Sequence, residues 1–152
     1  QGVAERARAF GMNILVGARP GQEAGEVDGY ARVPLEELLP QVDVLSLHCL
    51  LTDDTRNLIG AKELRLMKRD ALLINTSRGG LVDEQALAQA LRAGTIGGAG
   101  FDVLTEEPPR NGHPLLAGDI PNLIVTPHSA WASREARQRI VEITARNLAS
   151  AG

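Results

Sequence analysis

Three apolar runs in this chain each end in a residue able to do chemistry. Ala71-Leu72-Leu73-Ile74-Asn75 leads into Thr76-Ser77-Arg78-Gly79-Gly80. Gly97-Gly98-Ala99-Gly100-Phe101 leads into Asp102 and then, after a short loop, Glu107-Pro108. Leu123-Ile124-Val125 leads into Thr126-Pro127-His128. A guanidinium grips a carboxylate through two parallel hydrogen bonds, which fixes both its position and its plane. Histidine exchanges protons near neutral pH, and a carboxylate beside it holds the imidazolium. Arg78, Glu107 and His128 are therefore an anion clamp, an orienting acid and a proton carrier. If the runs are parallel strands, their carboxyl ends share one edge, where open α/β sheets bind ligands.

Each residue also has a bland reading. Arg78 alone is a surface ion pair, Glu107 an acidic turn with Glu106 as its rival, and His128 a loop histidine. The two glycines after Arg78 favour function, because they let backbone approach a ligand closely. His113 reads as an ordinary surface loop histidine, whereas His48, at a strand end, is placed to line the crevice.

The elements that must position these residues alternate. Val3, Ala4, Ala7 and Phe10 recur with helical spacing, and Gly11 stops that helix. Ile14-Leu15-Val16 is a short strand, and residues 21–28 read as a polar loop. Pro34 opens a short helix, residues 42–47 form a strand ending at His48, residues 52–55 a polar turn and residues 61–67 a helix. Asp83 caps a helix that runs to Leu91 and stops at Gly94. Strands at residues 98–101 and 123–125 flank a Pro- and Gly-rich loop, and residues 134–148 make a long amphipathic helix. Alternation of this kind predicts an α/β fold with a mostly parallel sheet, covered on both faces. All-apolar strands such as Leu72-Leu73-Ile74 fit that cover.

Composition excludes other classes. The 16 Lys and Arg residues are scattered in a chain of net charge −3, so there is no nucleic-acid footprint. Aromatic residues at 3% supply no base-stacking platform. No apolar stretch approaches a membrane span. The three histidines are far apart and form no helical metal pair, so no metal site is expected. Cys49 is alone, which sets a reducing cytoplasm as the default. No Gly-x-Ser-x-Gly is present to support a serine nucleophile. A clamp, an acid and a histidine without a nucleophile suit hydride transfer, where a cofactor does the redox chemistry. The chain opens on Gln1, already in helical register and without a cap, so it reads as a piece of a longer protein.

Four motifs in order resemble the D-isomer-specific 2-hydroxyacid dehydrogenases. They are Leu47-His48-Cys49-Leu50-Leu51-Thr52 with Thr55-Arg56-Asn57-Leu58-Ile59, Ile74-Asn75-Thr76-Ser77-Arg78-Gly79-Gly80-Leu81-Val82-Asp83, Gly100-Phe101-Asp102-Val103 with Glu107-Pro108, and Thr126-Pro127-His128-Ser129-Ala130-Trp131. Within that family, His128-Ser129-Ala130-Trp131 and Leu116-Ala117-Gly118-Asp119-Ile120-Pro121 look most like the glycerate dehydrogenase, or hydroxypyruvate reductase, group. The resemblance implies a Rossmann-like, doubly wound parallel sheet, with residues 1–152 forming part of an NAD(P)-binding domain in a two-domain enzyme. It implies that Arg78 binds the substrate carboxylate and carbonyl oxygen, that His128 moves the proton, and that Glu107, directly before a proline, holds His128. Asp102 would touch the nicotinamide carboxamide. Ala18, Arg19, His48, Cys49, Leu50, Thr55, Thr76, Ser77 and Ala130, with Arg78 and His128, would line the cofactor site. The partners implied are a small 2-hydroxy or 2-oxo acid and a second copy of the chain, with neither nucleic acid nor membrane.

Four departures accompany the likeness. The family's glycine-rich loop and first strand are expected just before Gln1, which predicts a gap in the sheet beside the strand at residues 14–16, and weak cofactor binding or folding by these 152 residues alone. Ala18-Arg19 stands where an acid usually holds the ribose, so the choice of NAD or NADP leans to NADP. Leu50 replaces a proline. The substrate domain lies outside this sequence. Two rival readings are an NAD(H)-sensing scaffold of the same fold and a truncated, non-functional remnant.

Overall fold

A short helix and a small mixed sheet precede the main parallel sheet. The structure is a computed structural model that describes residues 2–150. Helix α1 (Gly2–Ala9) ends ahead of Gly11, and strand β1 (Leu15–Gly17) follows. β1 pairs in parallel with β3 (Tyr30–Val33), and β3 pairs antiparallel with β2 (Gly25–Val27). The reading of residues 21–28 as loop therefore fails from Gly25 onward. Asp28 and Gly29 have φ of 52° and 78°, the geometry that reverses a two-residue hairpin. Asp-Gly between short alternating runs was the signal for it. The strands are only three and four residues long, and their polar content hid them.

The main sheet has four strands, β4 (Val44–Leu47), β5 (Leu72–Asn75), β6 (Gly98–Phe101) and β7 (Leu123–Val125), all parallel and in that spatial order. Helices α2 (Leu35–Leu38), α3 (Ala61–Leu66) and α4 (Glu84–Arg92) lie between strands in sequence, and α5 (Arg134–Ser150) closes the order. Pro34 sits just ahead of α2, where its fixed φ suits a helix entry. The Asp83 carboxylate accepts the Ala86 amide at 2.9 Å and caps α4 as its position predicts.

Alternate residues of the parallel strands build the core. Leu45, Leu47, Leu73, Ala99 and Phe101 are buried together with Leu38, Leu64, Leu87 and Leu91 from α2, α3 and α4. The other face is less covered than the apolar runs implied. Leu73 is wholly buried, whereas its neighbour Leu72 is 42% exposed and Ile124 on β7 is 70% exposed. An apolar run marks a strand that is buried somewhere, and the run alone does not say on how many faces.

The two sheets share no strand pair; β1 is an end strand of one and β4 of the other. α2 joins them, with a Leu38 methyl 3.6 Å from where a Gly17 Cβ would stand.

Candidate active site

The carboxyl ends of β5, β6 and β7 lie side by side. Asn75 is in register with Phe101, and Phe101 with Val125. The segments bearing Arg78, Asp102 with Glu107, and His128 all leave the sheet at that edge.

His128 and Glu107 meet there. Nδ1 of His128 lies 2.6 Å from Oε2 of Glu107. The other oxygen, Oε1, accepts the Leu104 amide at 2.8 Å. It is Glu107, not Glu106, that faces the imidazole. Burial would push the Glu107 carboxyl up, but the Leu104 amide and the imidazole outweigh it and hold it below the usual carboxylate range. An ionised Glu107 places the proton on Nδ1. Nε2 makes no hydrogen bond among the described residues, and the ring is 42% exposed, so Nε2 is open to a ligand.

His128 has a φ of 51°, a left-handed conformation that costs a non-glycine residue energy and survives only where its surroundings impose it. Asp102 supplies much of that constraint. Its buried carboxylate accepts the Ser129 amide at 2.9 Å, the Ala130 amide at 2.8 Å and the Thr126 hydroxyl. The Trp131 indole N–H donates to the His128 carbonyl at 2.8 Å. Hydrogen bonds thus tie the chain on both sides of the histidine.

Burial alone would raise the Asp102 carboxyl, but the Thr126 hydroxyl and the Ala130 and Ser129 amides lower it below the usual range. An unfolded aspartate titrates near about pH 4. Asp102 therefore contributes stability above that pH, and the contribution is lost as pH falls through the depressed folded value. Asp102→Asn turns an amide donor toward backbone N–H groups. We expect it to cost about 1–3 kcal/mol at neutral pH and to flatten the acid limb of stability against pH, measured by denaturant unfolding of the full-length protein.

Arg78 leaves the end of β5 through a short turn built by Asn75. The Asn75 side chain donates to the Arg78 carbonyl at 2.8 Å and accepts the Ser77 amide at 3.0 Å. The guanidinium is exposed and donates to the Ser77 carbonyl at 2.7 Å. No acid pairs with it among the described residues, so the surface ion pair, its bland reading, is not present. Gly79 must be glycine: a Cβ there would stand 2.1 Å from the Leu104 carbonyl carbon. That contact packs the Arg78 turn directly against the loop that carries Glu107.

A concavity opens between the segments that follow β1 and β4. Arg19, Pro20 and Gln22, after β1, face Thr52, Asp54 and Thr55, after β4, across a cleft of about 230 Å³. Such a cleft at strand carboxyl ends is where a doubly wound sheet holds a dinucleotide. Thr55 is buried, and its hydroxyl donates to the Leu50 carbonyl at 2.7 Å while accepting the Thr52 amide at 2.8 Å, so it shapes the cleft wall. Ala18 donates its amide to the Val33 carbonyl, and Ala130 donates its amide to Asp102, so neither N–H is free for a ligand. The Ser77 hydroxyl donates to the Cys49 carbonyl at 2.9 Å and ties the β4 and β5 ends together. His48 lies 2.9 Å from the Ser46 hydroxyl. Burial pushes the Cys49 thiol up, which makes it a poor nucleophile. Leu50 and Thr76 are exposed at the same edge. Among the described residues no cluster of His, Cys, Asp and Glu is arranged for a metal, and no helix is long and apolar enough to cross a membrane.

One histidine is not where the sequence reading puts it. The His113 side chain is 6% exposed and lies 2.8 Å from a Glu84 carboxylate that is 7% exposed. The surface-loop assignment of His113 is therefore wrong: the loop folds back on α4, and burial of the ring is satisfied by an acid 29 residues away. Glu84 was missed altogether, because an acid in a first helical turn reads as a solvated dipole partner.

The parallel sheet, its cleft and the acid–imidazole edge define a nucleotide-binding domain of the doubly wound class. Residues 1–130 match the family model described as D-isomer specific 2-hydroxyacid dehydrogenase, NAD binding domain, and the chain belongs to that family. It is 56% identical over 140 residues to a glycerate dehydrogenase of Methylorubrum extorquens, covering 92% of this chain and 42% of that protein. A glyoxylate reductase from Paecilomyes thermophila superposes with a TM-score of 0.84 at 38% identity, over 98% of this chain and 44% of the other. The NAD-complexed form of a D-isomer specific 2-hydroxyacid dehydrogenase from Lactobacillus delbrueckii ssp. bulgaricus superposes with a TM-score of 0.83 at 33% identity, over 99% of this chain and 50% of the other. The chain thus spans about half the length of the relatives it matches.

Proposed function

We propose that the protein containing this chain is an oxidoreductase that interconverts a small D-2-hydroxy acid and its 2-oxo acid with a nicotinamide cofactor, the substrate being of the glycerate/hydroxypyruvate or glyoxylate kind. Residues 1–152 are then part of the NAD(P)-binding domain of a longer two-domain enzyme. The separation of the two sheets and the coverage of 42% of the glycerate dehydrogenase support that division. One observation carries the reaction: His128, oriented by Glu107 through Nδ1, keeps Nε2 open at the edge from which the unpaired Arg78 also emerges. A sensor or scaffold has no use for a bare Nε2 beside an orienting acid.

The residues fit a nicotinamide dinucleotide. The cleft between Arg19 and residues 52–55 suits its adenosine end. A carboxylate has about four acceptor sites, and Asp102 uses three of them within the chain, so one remains for the carboxamide. A nicotinamide cofactor held there would supply or take the hydride at the substrate carbon. Arg78 grips the substrate carboxylate and the neighbouring carbonyl oxygen, which sets the plane of the carbonyl. His128 gives the proton on Nε2 to that oxygen during reduction and takes it back during oxidation. Glu107 keeps the proton on Nδ1 and stabilises the imidazolium, so Nε2 is always the exchanging nitrogen.

Arg19 leans the cofactor choice toward NADPH, since a guanidinium at the strand end suits a 2′-phosphate. Turnover of hydroxypyruvate or glyoxylate by the full-length protein, measured with each cofactor, tests the function and the lean together. Arg19→Ala is expected to raise KM for NADPH roughly tenfold to a hundredfold while sparing NADH. Equal loss with both cofactors removes the 2′-phosphate role, and no turnover at all favours the scaffold. A homodimer and a cytoplasmic location complete the reading; the lone Cys49 fits a reducing compartment.

A further inference from the structure

Glu84 opens α4 one residue after its cap, yet its side chain is buried, with only 7% exposed. A buried carboxylate is costly unless hydrogen bonds satisfy it. Both oxygens are satisfied here. Oε1 accepts the Thr105 amide at 2.8 Å, and Oε2 lies 2.8 Å from His113 Nε2. The His113 ring is itself locked, because Nδ1 accepts the Leu115 amide at 3.2 Å. The ring proton therefore sits on Nε2 and is donated to Glu84.

The two partners of Glu84 flank Glu107 in sequence, and the carboxylate clasps the loop on either side of the orienting acid. The neighbouring amides divide the work: Leu104 N–H goes to Glu107 and Thr105 N–H to Glu84. The same dipeptide is backed by Gly79, next to Arg78, with no room for a side chain between them. A single buried carboxylate thus holds the piece of backbone that touches both the Arg78 turn and the Glu107 carboxylate. We propose that Glu84, with His113 as its donor, is a positioning residue for the Glu107–His128 pair. The proposal rests on the dehydrogenase reading for its kinetic consequence, though not for its geometry.

The test uses the full-length protein. In E84Q the side chain keeps its shape and still accepts from Thr105, but its NH₂ meets the His113 Nε2–H donor to donor. We expect kcat for hydroxypyruvate or glyoxylate reduction to fall roughly tenfold to a hundredfold, as for a small displacement of a reacting group. KM for the cofactor should stay within about twofold, since Glu84 touches no part of the cofactor cleft. A second readout needs no turnover: the downfield proton resonance of His128 Nδ1–H, bonded to Glu107, should broaden or vanish in E84Q. H113Q restores an amide donor toward Glu84 and should recover most of the turnover and resonance that H113L loses. Unchanged kcat and resonance in folded E84Q and H113L overturn the proposal. If E84Q does not fold, equal losses in H113Q and H113L overturn it. If the unaltered protein turns over neither substrate, the dehydrogenase reading fails, and the resonance in E84Q alone decides the positioning role.

Discussion

If the proposed reaction is right, His128→Ala in the full-length protein is expected to lower kcat for reduction of hydroxypyruvate or glyoxylate by about 10²- to 10⁴-fold, with KM for the substrate little changed. The direction follows from geometry. Glu107 occupies Nδ1 at 2.6 Å, so Nε2 is the nitrogen able to meet a substrate oxygen. Proton delivery is needed in the transition state and not for binding, and its removal therefore falls on turnover. The loss is confined to chemistry because the Ser129 and Ala130 amides, which hold the turn to Asp102, are backbone groups that alanine leaves in place. Steady-state kinetics with near-saturating cofactor check it. A variant that keeps the parent kcat takes His128 out of proton transfer, and one that loses only KM makes the histidine a binding group.

Arg78→Ala is expected to lower kcat/KM by about two to three powers of ten, with most of the change in KM. A charge-assisted pair of hydrogen bonds to a carboxylate is lost, and no described acid or base is freed to take its place. Arg78→Lys should recover only part of the loss, because an ammonium neutralises the carboxylate but does not fix its plane. Comparing a 2-oxo acid with the corresponding uncharged 2-oxo amide sharpens the measurement. The parent protein should prefer the acid strongly, and Arg78→Ala should lose that preference. If the preference survives, another cation holds the carboxylate.

Much of this machinery was legible because strands, turns and caps are short-range events. The β5 run and Asn75-Thr76-Ser77-Arg78-Gly79-Gly80 announce a strand ending in a turn, and Asp83 announces a helix, since each depends on residues within a few positions. Pro127 ends β7 cleanly because it restricts its predecessor, and that places His128 at the rim. The hairpin at Asp28-Gly29 was equally local and was missed because its strands are very short and polar.

What the amino-acid sequence determined by itself is the succession of elements and the kinds of groups at the strand ends: a guanidinium, carboxylates and an imidazole, each delivered by its own β-segment. Folding decided partnerships that no local signal carried. The family resemblance had already pointed to Glu107 for His128, but the three bonds that engage Asp102 and the withdrawal of His113 onto Glu84 join residues 24 to 29 positions apart and were not read from the sequence. Local propensity carries no record of such distances. A buried polar group must find its complement somewhere, and only the packing of the sheet against α4 and the loops at its rim determines which complement is within reach.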